Sequence, residues 1–190
     1  MKSGVSYRDQ GDINQLSEQE LRWFAVYTKF KCEKFVAHQL AKKGIEAYVP
    51  VIQKTKRYQR KVKHYEIPLI NCYVFVRIIK AAYLPTLETE YVMKFLRNGK
   101  DLLSIPDQEM DVLKRVAGDV KESFSTDNFD WESIEEVEVT EGYLTGMKGK
   151  IISRAGKRSF IIELETIGYQ LRINIDPAIL RPVHKNKLIA

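Results

Sequence analysis

Six cations fall within ten residues of this 190-residue chain: Lys54, Lys56, Arg57, Arg60, Lys61 and Lys63, with Tyr58 and Tyr65 interleaved. Lysine and arginine neutralise phosphates and release counterions, and aromatic rings stack on unpaired bases. The chemistry on offer is therefore the grip of a nucleic acid, not the making of a bond. A solvated hairpin tip explains any single lysine here, whereas the cluster points to nucleic acid. Phosphate contacts position a protein and base contacts specify it, so no sequence preference follows. Groups able to react are sparse. His38, His64 and His184 are dispersed, and no HExxH, GxSxG or P-loop pattern occurs. Cys32 and Cys72 lack metal spacing and form no disulfide framework. Catalysis needs convergent acid, base or nucleophile groups. No catalytic residue, metal site or cofactor is expected.

The charges are blocked along the chain, which bears on organisation. Lys29–Tyr65 carries eleven Lys/Arg against Glu33 and Glu46, Asp119–Glu141 carries nine acids against Lys121, and Gly142 to the last residue carries nine basic residues against three acidic. A basic block, an acidic stretch and a second basic block predict two domains, at 22–118 and 134–184, joined by an acidic linker at 119–133. Residues 1–21 are polar and predict a flexible leader without a secretory core; residues 185–190 form a tail. No apolar run approaches the roughly 20 residues that span a bilayer. A cytoplasmic monomer with reduced thiols is expected.

These residues need elements to position them. WFAVYT (Trp23–Thr28) reads as a buried strand. A helix follows, with Cys32, Phe35, Val36 and Leu40 on its apolar face and Gly44 as its stop. Glu46–Thr55 and Val62–Pro68 read as the arms of a long hairpin carrying the cations. Asn71–Ile79 is a second buried strand, a short helical turn follows Pro85, and Val92–Leu96 is another strand. A helix from near Pro106 has acids in its first turns and ends at Gly118. The prediction is an α+β domain, a small antiparallel sheet packed on helices. Beyond the linker, alternating runs from Val137 to Ile175 predict five short strands in an SH3-like β-barrel. Gly142, Gly146 and Gly149 in VEVTEGYLTGMKGKI suit a tight turn between the first two strands.

VEVTEGYLTGMKGKI resembles a KOW motif. In order, WFAVYT, Glu33, Tyr48–Pro50, PLINCYVFV (Pro68–Val76), VMKFL (Val92–Leu96) and IPDQEM (Ile105–Met110) resemble the N-terminal (NGN) domain of the NusG/RfaH family. Over roughly 22–184 the chain is similar to NGN–KOW transcription factors, and most similar to the UpxY-type antiterminators of capsular polysaccharide operons. The resemblance implies docking on the clamp region of RNA polymerase through an exposed patch of Leu69, Ile70, Tyr73 and Phe95. It places Lys29 and Lys31, at the start of the first helix, near non-template DNA, with nascent RNA the other nucleic-acid partner. It matches Tyr143, Leu144 and Ile167 to exposed loop residues that recruit Rho or a small-subunit ribosomal protein. The stretch Ala82–Glu90 departs from the His-Thr pattern of the RfaH gate-loop contact, leaving only Thr86 and Thr89 as similar groups.

Overall fold

The computed structural model describes residues 15–99, 101–119, 134–154, 157–173 and 175–183. Residues 1–14, the expected linker beyond Asp119, His184 and the expected tail lie outside them. Contacts group the chain into two compact units. One runs through Tyr48 and includes Cys72–Ile105, while the other joins Val49–Asn71 to the chain from Pro106 onward. This grouping is drawn differently from the linear division at residue 118 that the charge blocks suggested.

The first unit is built on an antiparallel sheet of β1 (Arg22–Thr28), β2 (Glu46–Tyr48), β5 (Tyr73–Ile78) and β6 (Val92–Phe95), in the order β2-β5-β1-β6. The register sets Val26 opposite Val74 in the centre, and Phe24, Val26, Val74, Phe75 and Val76 are buried. Strands this apolar have both faces covered. Helix α1 (Glu33–Lys42) packs on β2 and β5 through Val36 and Leu40. Phe35, expected on that face, is exposed, and the third inward position is the carboxylate of Glu33. The buried stripe is thus 33, 36 and 40, set by helical phase and not by apolarity. Gly44 stops the helix at φ +73° as expected. Helix α2 (Tyr83–Leu87) encloses Pro85 instead of following it. The leader is anchored from Gln15 on: its side-chain Oε1 accepts from Ser104 N (2.7 Å) and Ser104 Oγ (2.6 Å).

The second unit holds the hairpin of β3 (Val51–Tyr58) and β4 (Lys61–Pro68), helix α3 (Asp107–Asp119) and a five-stranded sheet. Tyr48 and Val51 end and begin separate strands, so the expected single arm 46–55 is broken at Pro50. Helix α3 buries Met110, Leu113 and Val116, packs on β3, and continues one residue past Gly118. The sheet comprises β7 (Ile134–Val139), β8 (Lys148–Arg154), β9 (Lys157–Leu164), β10 (Tyr169–Ile173) and β11 (Leu180–Pro182), ordered β10-β9-β8-β7-β11. The five expected strands are present. Among the described residues they form an open ladder, not a closed barrel, because β10 and β11 are not paired with each other. Strand β11 is three residues long and ends in Pro182, which has no N–H to donate.

Candidate nucleic-acid interface

Directly opposed residues of an antiparallel pair project to the same side, and successive residues alternate. The hairpin register pairs Lys54 with Tyr65, Lys56 with Lys63, and Tyr58 with Lys61. Four lysines and both tyrosines therefore share one face, and no acid lies on it. The reverse face pairs Gln53 with Glu66, Thr55 with His64, and Arg57 with Val62. It satisfies itself: Gln53 Nε2 donates to Glu66 Oε1 (2.9 Å), and Thr55 Oγ1 is 2.8 Å from His64 Nδ1. Of the six expected cations, Lys54, Lys56, Lys61 and Lys63 come together, Arg57 points the other way, and Arg60 is in the turn. All six are exposed. Lys56 Nζ stands 5.2 Å from the Tyr58 ring centre, a cation–π distance.

Lys29 and Lys31 lie at the exit of β1, where three non-glycine residues adopt the left-handed region: Lys31 (φ +64°), Cys72 (+65°) and Tyr91 (+68°). Each such residue costs on the order of 1–2 kcal/mol. Three hydrogen bonds hold the junction. Thr28 N donates to Cys72 O (2.9 Å), Lys29 N to Tyr91 O (3.0 Å), and Cys72 N to Oε1 of the buried Glu33 (2.7 Å). A helix start attracts phosphate through its free amides. Glu33 already supplies a negative charge in that first turn, so the lysine side chains and not the helix start are the anion-attracting groups here. Lys29 Nζ is 5.6 Å from the Tyr91 ring, and Lys31 Nζ is 5.2 Å from Phe30. The Phe35 and Tyr91 rings are 5.3 Å apart, and Phe30, Phe35 and Tyr91 are all exposed. These aromatics were missed from sequence. Phe35 is assigned by its sequence to the apolar face of the helix, and Tyr91 carries no assignment there; their exposure follows from helical phase and a left-handed residue, which composition does not reveal.

Burial of Cys72 pushes its thiol above the usual cysteine range, and the neighbouring Glu33 charge pushes the same way. Both effects disfavour the thiolate.

The expected apolar docking patch is largely closed. Leu69, Ile70 and Phe95 are 7%, 1% and 2% exposed. Phe95 faces inward on β6, stacked on Tyr83 (4.8 Å) and edge-on to Phe24 (6.5 Å). Strand alternation leaves Lys94 outside instead. Tyr73 alone is half-buried, its ring 4.5 Å from Tyr27. Thr86 and Thr89 are buried, and their hydroxyls donate to Ala82 O and Pro85 O.

In the C-terminal sheet, Tyr143 is 44% exposed, but Leu144 (1%) and Ile167 (7%) are buried. The loop between β7 and β8 turns on Gly142 and Gly146, both at positive φ. That reversal folds Leu144 inward and leaves Tyr143 out. Gly149 has a different role: a Cβ there would meet Ile161 O at 2.4 Å and the Phe160 ring at 2.6 Å. Thr166, beside Ile167, donates from its amide (3.1 Å) and its hydroxyl (2.9 Å) to Glu109 Oε1 of α3.

No group of three or more potential metal ligands occurs among the described residues, and none of their helices is long and apolar enough to cross a membrane. Fold and site together describe an α+β protein with a cationic, tyrosine-bearing ribbon on its surface. Residues 21–114 match the NusG family model, described as transcription termination factor nusG. Among solved structures, Thermotoga maritima NusG, studied for its domain interaction, has 18% identity and a TM-score of 0.58, covering 88% of this chain and 100% of that one. The fold is therefore similar to that of Thermotoga maritima NusG. Conformations A and B of the MjSpt4:Spt5 complex also match at 18% identity, covering 86% and 87% of this chain and 99% of theirs. Their TM-score of 0.31 is too low to bear on the fold. No curated protein matches.

Proposed function

We propose that the chain is a NusG-family transcription elongation and antitermination factor, specialised for a polysaccharide-biosynthesis operon. The observation that carries this reading is the family match over residues 21–114, the region in which the ordered NGN-like motifs fall. The protein rides on the clamp region of RNA polymerase, suppresses pausing and termination, and excludes a housekeeping NusG from a shared site. It does so by binding, without catalytic residues or a cofactor, as a cytoplasmic monomer. The cationic hairpin and Lys29/Lys31 face non-template DNA or nascent RNA. The C-terminal sheet serves as a KOW-type adaptor, with Tyr143 the accessible residue toward Rho or a small-subunit ribosomal protein.

Energetics rank the polymerase-facing residues. Exposing a buried Leu, Ile or Phe costs about 1.5–3 kcal/mol, so contact through Leu69, Ile70 or Phe95 requires each side chain used to be uncovered at that cost. Tyr73 is partly accessible already and is the residue on which docking depends first. The test is retention of purified RNA polymerase by the full chain, joined to mapping of polymerase occupancy with and without the protein. Retention with occupancy changes confined to one or a few operons supports the specialised factor. Genome-wide changes support a housekeeping NusG-type factor, and ribosome capture without polymerase supports a general RNA- or ribosome-binding KOW protein.

A further inference from the structure

We propose that the Lys/Tyr face of the hairpin is a site for an unpaired nucleic-acid strand, with Lys54, Lys56, Lys61 and Lys63 on its phosphates and Tyr58 and Tyr65 stacked on its bases. This deepens the reading of the hairpin as the nucleic-acid side of a transcription factor, and rests on that reading. Four ammonium groups occupy this face with no carboxylate among them, and Lys56 lies directly opposite Lys63. Like charges so placed destabilise a strand pair. The hairpin is a two-stranded sheet of its own, the kind with least stability to spare. A polyanion laid along the face removes that repulsion.

The geometry favours a single strand over other polyanions. The three cross-strand rows are about 7 Å apart along the ribbon and so span about 14 Å. That length matches about four nucleotides of a stacked strand, at roughly 3.4 Å each. Each row at the ends of this span pairs one lysine with one tyrosine, and the middle row holds two lysines. The tyrosine rings are 47% and 37% exposed. A two-stranded ribbon also fits the major groove of a duplex, where lysines reach guanine edges, but that arrangement leaves the two exposed tyrosine rings without a base face to stack on. Base faces become available for stacking only when the strand is unpaired. The face offers no amide or carboxylate acceptor for a ribose 2′-hydroxyl, so DNA and RNA strands should bind alike.

Fluorescence anisotropy with the full chain and mixed-sequence 12-mers tests this without polymerase present, so its failure is separate from a failure of polymerase docking. Unpaired DNA and RNA should bind equally and at least tenfold more tightly than a duplex of the same length. Four phosphate contacts predict a log–log salt slope of about −3 for a single strand. Lys54→Gln/Lys56→Gln/Lys61→Gln/Lys63→Gln should bring that slope close to zero, and Arg57→Gln should leave it nearly unchanged. Tyr58→Leu and Tyr65→Leu should each weaken strand binding about tenfold while leaving the binding of heparin, a polyanion without bases, unaltered. If the quadruple variant fails to fold, the two tyrosine variants decide alone. Duplex binding as tight as strand binding, equal Tyr dependence for heparin and strand, or preference for anionic phosphatidylserine vesicles would each overturn the proposal.

Discussion

At the residue scale, the junction at the exit of β1 depends on one buried carboxylate. Glu33 lies 2% exposed, and its acceptor bond holds Cys72 in the left-handed region. Glu33→Ala would leave the Cys72 amide without its partner and is expected to cost about 2 kcal/mol in chemical denaturation. Glu33→Gln keeps an acceptor and should lose less. Glycine adopts positive φ freely and β-branched residues do not. Cys72→Gly should therefore be close to neutral, and Cys72→Val should cost about 2 kcal/mol. The raised Cys72 thiol adds a pH dependence. A group held protonated in the folded state stabilises fully below the unfolded thiol range, and that contribution is lost as pH rises through the folded value. In a Cys32→Ser background, the pH midpoint for Cys72 alkylation should lie above that of free cysteine. Glu33→Gln should lower it only in part, because burial is the larger cause. Glu33 was legible as a motif residue, but its bond to an amide 39 positions away was not. The sequence shows a charge at a helix start and says nothing of which loop comes to meet it.

At the scale of elements, strand periodicity was the most readable signal, and it carried further than the motifs did. The hairpin's cations were visible as a cluster, and period two divides them between faces once the register is known. Register needs the turn, and the turn contains Arg60 itself. Lys63→Glu isolates the conflict between stability and binding in this ribbon. It converts the Lys56–Lys63 opposition into an attractive pair worth a few tenths of a kcal/mol. Amide exchange across β3 and β4 should slow about twofold, while strand binding falls. Slower exchange with unchanged binding would separate the charge pair from the binding face. In the C-terminal sheet, the glycine spacing was legible, though the distinct task of Gly149 was not. Its Cβ would strike backbone and an aromatic ring of the neighbouring β9, neither of which can move cheaply. Gly149→Ala should cost about 1–3 kcal/mol through overpacking, measured as a fall in the denaturation midpoint with an unchanged slope.

At the scale of the whole molecule, charge blocks divide the chain linearly and packing divides it otherwise. Charge marks where a chain is soluble, while contacts follow which apolar faces meet, so the two need not agree. The second unit gathers the hairpin, α3 and the C-terminal sheet. Within it, Glu109 of α3 takes both donors of Thr166, beside the expected partner residue Ile167. Its other oxygen, Oε2, is buried with no hydrogen-bond partner among the described residues. A carboxylate left half-satisfied carries a desolvation penalty, so this contact persists only while the two Thr166 bonds compensate. Glu109→Ala removes the acceptor and should raise amide exchange at Thr166 by about tenfold to a hundredfold, the equivalent of roughly 1–3 kcal/mol. Exchange in β1 and β5 should stay as it was, because neither strand belongs to this unit. Unchanged exchange at Thr166 would mean that the α3 contact does not hold the β9–β10 turn in solution. In that case Ile167 would return as a candidate for partner contact beside Tyr143, and the loop-end surface of the C-terminal sheet would be wider than Tyr143 alone.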